Sequence, residues 1–190
     1  MFESFETRRI KTQEIEINLK IGGRGPALLL LHGYPQTHIM WHKIASELAC
    51  RFTVVATDLR GYGDSGKPPT DAKHEPYSKV QMAKDQAEVM TELGFDDFFV
   101  VGHDRGGRVA HRLACDYSHR IRKIAVLDIA PTAKMYGSTD KKFATAYYHW
   151  FFLIQPFDFP ERLIGADPRY YLEKKIKVAG QPWRPFCAFP

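Results

Sequence analysis

The chain has 190 residues, enough for one domain with a real core and too few for two comfortable ones. Its 44% hydrophobic and 26% charged residues are ordinary for a globular protein. Much of the net charge of +5 gathers late, where Arg169, Lys174, Lys175, Lys177 and Arg184 stand against a lone Glu173. No stretch interleaves basic and aromatic residues as RNA-reading modules do, so nucleic acid is not an expected partner. Three cysteines (Cys50, Cys115 and Cys187) are an odd number without CxxC spacing, which speaks against a disulfide framework or a zinc site. Acidic residues stand among the first ten, where a signal peptide would be apolar. The longest apolar run, Ala27 to Leu31, is far short of the ~20 residues that cross a bilayer. The expectation is a cytoplasmic protein with no membrane, metal or cofactor requirement.

Thr12 to Ile21 alternates polar residues with Ile15, Ile17, Leu19 and Ile21, the pattern of a half-exposed strand. A Gly22–Pro26 turn leads into the apolar run Ala27–Leu31, which reads as a strand buried on both faces of a parallel sheet. Trp41 to Leu48 has helical spacing, and Phe52 to Ala56 is a second buried strand that leads to Asp58. Leu59 to Pro76 is rich in Gly, Pro and Asp and reads as a loop. Lys79 to Leu93 places Val80, Ala83, Ala87, Met90 and Leu93 at helical spacing, with Gly94 as the stop. Phe98 to Val101 is a third buried strand, Gly106 to Asp116 a helix, and Ile121 to Ile129 a fourth buried strand. Strands and helices alternating at these lengths predict an α/β fold with a mostly parallel sheet covered on both faces. Residues 1–132 would form that core. Residues 133–180, aromatic and helical, would begin a cap inserted over the sheet, followed by an atypical tail at 181–190.

The stretch Val100-Val101-Gly102-His103-Asp104-Arg105-Gly106-Gly107-Arg108 runs a buried strand into a helix through a glycine-rich turn. It has the form of the nucleophile elbow G-x-S-x-G with Asp104 where serine would stand. A carboxylate there attacks an sp³ carbon bearing a leaving group and forms an ester with the enzyme. Hydrolysis of that ester at the carbonyl of the aspartate still needs an oxyanion hole. Taken alone, Asp104 could equally be a helix cap. Three further stretches stand where such an elbow requires them. Leu31-His32-Gly33-Tyr34-Pro35 follows the first buried strand and would supply the Tyr34 backbone N–H to the oxyanion, with the second from Arg105. The Asp58–Ser65 loop follows the next strand and reads as structural. Asp128 closes the strand Lys123–Ile129, at the end where an acid can orient a catalytic histidine.

With Leu127-Asp128-Ile129-Ala130-Pro131-Thr132 and His149-Trp150 added, residues 10 to 172 resemble the haloacetate (fluoroacetate) dehalogenases of the α/β-hydrolase superfamily. The resemblance implies a small anionic haloacid and water as reactants, with no cofactor. Arg105 and Arg108 would hold the substrate carboxylate, for which planar guanidinium groups suit. His149 and Trp150 would donate N–H bonds to the departing halide, while Asp128 would be the acid partner of the base. A homodimer is compatible with the family. The bland readings are surface arginines on a solvated helix and an aromatic core at Tyr147–Phe152.

Two departures qualify the resemblance. In this superfamily the catalytic histidine comes late in the chain, yet only His149 follows Asp128, and by the match it belongs to the cap. After Leu172 the likeness fades, which reads as a C-terminal truncation or frame shift, leaving a sheet edge bare. Two alternatives follow: an epoxide hydrolase with the same nucleophile, for which Tyr147 and Tyr148 could serve, or a non-catalytic fragment that keeps the pocket.

Overall fold

The computed structural model describes residues 2–176. The tail expected at 181–190 lies outside them. The sheet starts with two antiparallel strands, β1 (Glu6–Lys11) and β2 (Glu16–Gly22), paired Glu6 to Ile21 through Lys11 to Glu16. No apolar periodicity announced β1. Its charged, exposed side chains suit an edge strand that discourages pairing with other chains. In β2, Ile17 and Leu19 are buried as their alternation requires, but so is Asn18 between them, whose amide bonds Asp58.

From there the sheet becomes parallel. β3 (Ala27–Leu31) is buried at all five positions and lies between β4 (Thr53–Thr57) and β5 (Phe98–His103). β6 (Ile121–Leu127) follows β5, completing the order β1-β2-β4-β3-β5-β6. Because side chains alternate across a strand, β3 feeds two cores. Leu29 and Leu31 face a cluster with Val100, Met82 and Val109. Leu28 and Leu30 face another with Trp41, Ala45 and Val54. The first is roofed by α2 (Lys79–Glu92) and α3 (Arg105–Asp116), and the second by a short 3-10 turn (His38–Lys43) and α1 (Ala45–Leu48). The single helix expected from Trp41 to Leu48 is thus divided at Ile44.

One expectation fails in part. Ile121–Leu127 is a strand, but it is not buried: Ile124, Val126 and Leu127 are 41%, 50% and 42% exposed. Apolar composition records what a strand needs to cover. Here β6 is the last strand among the described residues, so only β5 borders it.

The chain divides into two units, residues 1–131 and Thr132 onward. The second contains α4 (Thr132–Gly137), α5 (Lys141–Ala146), α6 (Tyr148–Phe152), α7 (Phe159–Ala166) and α8 (Pro168–Ile176). Its interior is aromatic: the Trp150 ring meets Tyr136 at 5.6 Å and both Phe143 and Tyr147 at 5.9 Å. No described helix is long and apolar enough to cross a membrane.

Candidate active site

β5 ends at His103 and α3 begins at Arg105, so Asp104 carries the entire change of direction. Its φ of 49° lies in the left-handed region that non-glycine residues rarely adopt. Strain of this sort persists only where surroundings impose it, and it gathers at functional sites. A Cβ added at Gly102 would run into the backbone of Gly106, and one at Gly106 into the Leu31 carbonyl. The glycines are therefore demanded by close approach of strand and helix.

The Asp104 side chain makes no capping bond to its own helix. Instead, Oδ1 accepts the Tyr34 backbone N–H at 2.9 Å. The carboxylate is thus turned away from its own helix and toward a loop amide. The amide is the one expected to face an oxyanion. The Arg105 N–H stands at the first position of α3, where a helix leaves its donors unpaired.

The loop that delivers Tyr34 is braced by His32, which is fully buried. Leu59 N–H donates to its Nε2 at 3.0 Å, so Nδ1 carries the proton and donates to the Gly33 carbonyl at 2.8 Å. Burial pushes the pKa of this imidazole down to about 4, so it is neutral near pH 7. Asp58 anchors the neighbouring loop, accepting from Asn18 Nδ2, the His38 backbone and Asp64 N–H. Burial would raise its pKa, but the His38 bonds, helped by Asn18, hold it down at about 2. Its role is structural, as the sequence implied.

Around Asp104 the first unit gathers cations. Arg105 and Arg108 lie in the first turn of α3, and the Arg105 side chain is hydrogen-bonded to Tyr62. Tyr62 in turn packs edge-on against His32, ring centroids 5.0 Å apart. Burial raises the Tyr62 pKa, and the Asp104 charge adds to the rise. Asp128 follows β6 with φ 51°, its side chain exposed, its Oδ2 3.8 Å from His103 Nε2. His103 Nδ1 meets Gln36 Oε1 at 3.1 Å.

The structure thus brings Tyr34 to Asp104, sets Arg105 and Arg108 in the adjoining turn, and pairs Asp128 with His103. His149 and Trp150 stand on α6 of the second unit, inside its aromatic cluster. Sequence reasoning missed Gln36, Tyr62 and His103. Only His103 carried a signal, being next to Asp104. Among the described residues no His, Cys, Asp and Glu gather as metal ligands would.

A sheet of this order, with a tight, strained turn from β5 into α3, is that of an α/β hydrolase. The sequence profile of the alpha/beta hydrolase fold family matches residues 26–169, and the chain belongs to that enzyme family. A fluoroacetate dehalogenase of Burkholderia sp is 51% identical over 173 residues, 91% of this chain and 57% of that protein. A soluble epoxide hydrolase of Corynebacterium sp. (strain C12) is 37% identical, over 86% of this chain and 56% of its own length. Among solved structures, a protein of Nostoc sp PCC 7120 assigned to the α/β hydrolases superposes with a TM-score of 0.91. It is 65% identical over 93% of this chain and 60% of that one. The chain therefore spans little more than half the length of the relatives it matches.

Proposed function

We propose that the chain carries the nucleophilic and substrate-binding parts of a dehalogenase acting on small haloacids such as haloacetate. The observation that supports this best is the Tyr34 N–H bond to Asp104 Oδ1, made by a carboxylate that caps nothing. Oδ1 remains the carbonyl oxygen, and Oδ2 attacks the halogen-bearing carbon. The C–halogen bond breaks as the C–O bond forms, and halide leaves with the electron pair. His149 and Trp150 are the proposed halide donors. Arg105 and Arg108 take the substrate carboxylate and offset its repulsion from Asp104. Water then attacks Asp104 Cγ, and the oxyanion develops on Oδ1 against the Tyr34 and Arg105 N–H groups. Asp128 is the proposed acid partner of the histidine that activates this water; His149, the one histidine among residues 129–190, is assigned instead to the halide. Epoxide hydrolysis is the second reading, favoured by the Corynebacterium relative and by Tyr147 and Tyr148 near the proposed halide donors. The pair of arginines beside Asp104 argues for the anion.

Bromoacetate offered to the 190-residue chain tests the reading. Asp104 is expected to gain one carboxymethyl ester, found by intact mass and peptide mapping, with halide release stopping near one equivalent. A positioned base contributes about 10²–10⁴-fold, so the ester should persist. Asp104→Asn is expected to abolish the adduct. An adduct confined to cysteines, or equal adduct in the Asn variant, overturns the assignment.

A further inference from the structure

Lys79 breaks three local rules at once. It is the first residue of α2, next to the Ser78 cap, where the helix dipole disfavours a cation. It is half-buried rather than extended into water. It also makes no salt bridge to any described carboxylate; its Nζ folds back to 3.7 Å from Met82 Sδ. Met82 is buried in the same cluster as Val109, which lies one residue past Arg108 on α3. α2 leads into the parallel strand β5, α3 leaves it, and the two helices pack together, so the first turn that carries Lys79 stands at the same end of the sheet as Asp104, Arg105 and Arg108. Those three are the charged groups whose fields it feels.

We propose that Lys79 is a specificity-determining residue of the Asp104 site, a third cation from a second helix that draws carboxylate-bearing substrates to the nucleophile. This rests on the reading of the site given above. Three cations about one carboxylate leave an excess of two positive charges, far more than is needed to balance Asp104. That excess is explained by a ligand that brings its own negative charge. Lysine also differs from the two arginines in being able to lose its charge. Burial first, then Arg105 and Arg108, push its pKa down to about 8, while Asp104 holds it up. The site would therefore weaken for anions as the pH rises through that value.

Acetate, which has the carboxylate but no leaving group, is the probe, titrated calorimetrically into the 190-residue chain. Lys79→Gln is expected to weaken acetate binding about fivefold, as befits a partly screened charge. Acetamide binding should not change. Acetate affinity of the parent should fall between pH 7 and 9.5, and Lys79→Arg should restore affinity and flatten that profile. Unchanged acetate affinity in Lys79→Gln, or the same pH fall in Lys79→Arg, overturns the proposal. A substrate-free measurement stands beside it: in the reductively ¹³C-methylated protein, the Lys79 resonance should titrate below those of exposed lysines and shift upward in Arg108→Met. Co-titration with the exposed lysines overturns the proposal even if no acetate binds. Lys79-dependent acetate binding without any Asp104 adduct would sink the dehalogenase reading and leave the anion site standing. An adduct forming with half-saturation independent of Lys79 would do the reverse.

Discussion

Gly33 has no room for a side chain: a Cβ there would stand 2.6 Å from Asp104 Cβ and 2.9 Å from both Asp104 Oδ1 and His103 Nδ1. The loop that offers the Tyr34 N–H must pass this close for the 2.9 Å bond to form. Gly33→Ala should therefore push loop and nucleophile apart and remove an oxyanion donor while the cores beneath stay packed. Losing one such donor costs about 10²–10³ in rate. Ester formation by bromoacetate should be mildly slowed and cleavage of that ester by added hydroxylamine, which attacks the Asp104 carbonyl carbon, strongly slowed, with circular dichroism unchanged. An alanine variant of undiminished rate in both steps would show that the Tyr34 amide is a bystander.

The link between the β4 loop and α2 depends on one ion pair. Arg60 is fully buried and donates through Nε and Nη2 to Asp85 at 2.8 and 2.7 Å, with Nη1 on Glu14 at 2.9 Å. Asp85 lies on the inward face of α2 one turn and a half after Lys79, so this pair sets where the helix start, and hence the Lys79 ammonium, is held. Removing one partner of a buried pair leaves a charge without compensation and costs about 3–5 kcal/mol. Asp85→Ala should lower the unfolding free energy obtained from urea titration by that order, moderated by Glu14, whereas the double change Arg60→Met with Asp85→Leu should recover much of the loss. No recovery in the double variant would mean that the pair does more than neutralise itself.

Acid sensitivity of the first unit follows from two buried groups. His32 stays neutral in the fold with its pKa at about 4, whereas an unfolded histidine protonates near its ordinary 6.5. Between those values the unfolded chain binds a proton that the folded one refuses, so stability falls as pH drops through that window. Asp58, held at about 2 against an ordinary 3.8, adds a second loss as pH falls between those values. Each window has a slope of up to about 1.4 kcal/mol per pH unit. Urea midpoints of the whole chain should decline from pH 6.5 to 4, and His32→Asn should flatten that decline although it starts lower. An equally steep decline in the variant would place the sensitive group elsewhere.

Apolar runs made β3, β4 and β5 legible because a strand covered on both faces must be apolar throughout, and a helix such as α2 shows its period and the Gly94 stop. The elbow was legible too, since Gly102 and Gly106 are dictated by backbone approach within a few residues of Asp104. β1 was not, because an edge strand answers to solvent and its charges carry no period. β6 was legible as an apolar strand, and among the described residues only β5 borders it. The Asn18–Asp58 and Arg60–Asp85 bonds and the His103–Asp128 approach all join residues from different elements. Their meeting depends on how loops close and helices seat on the sheet, which is a property of the packed chain and leaves no mark in local sequence.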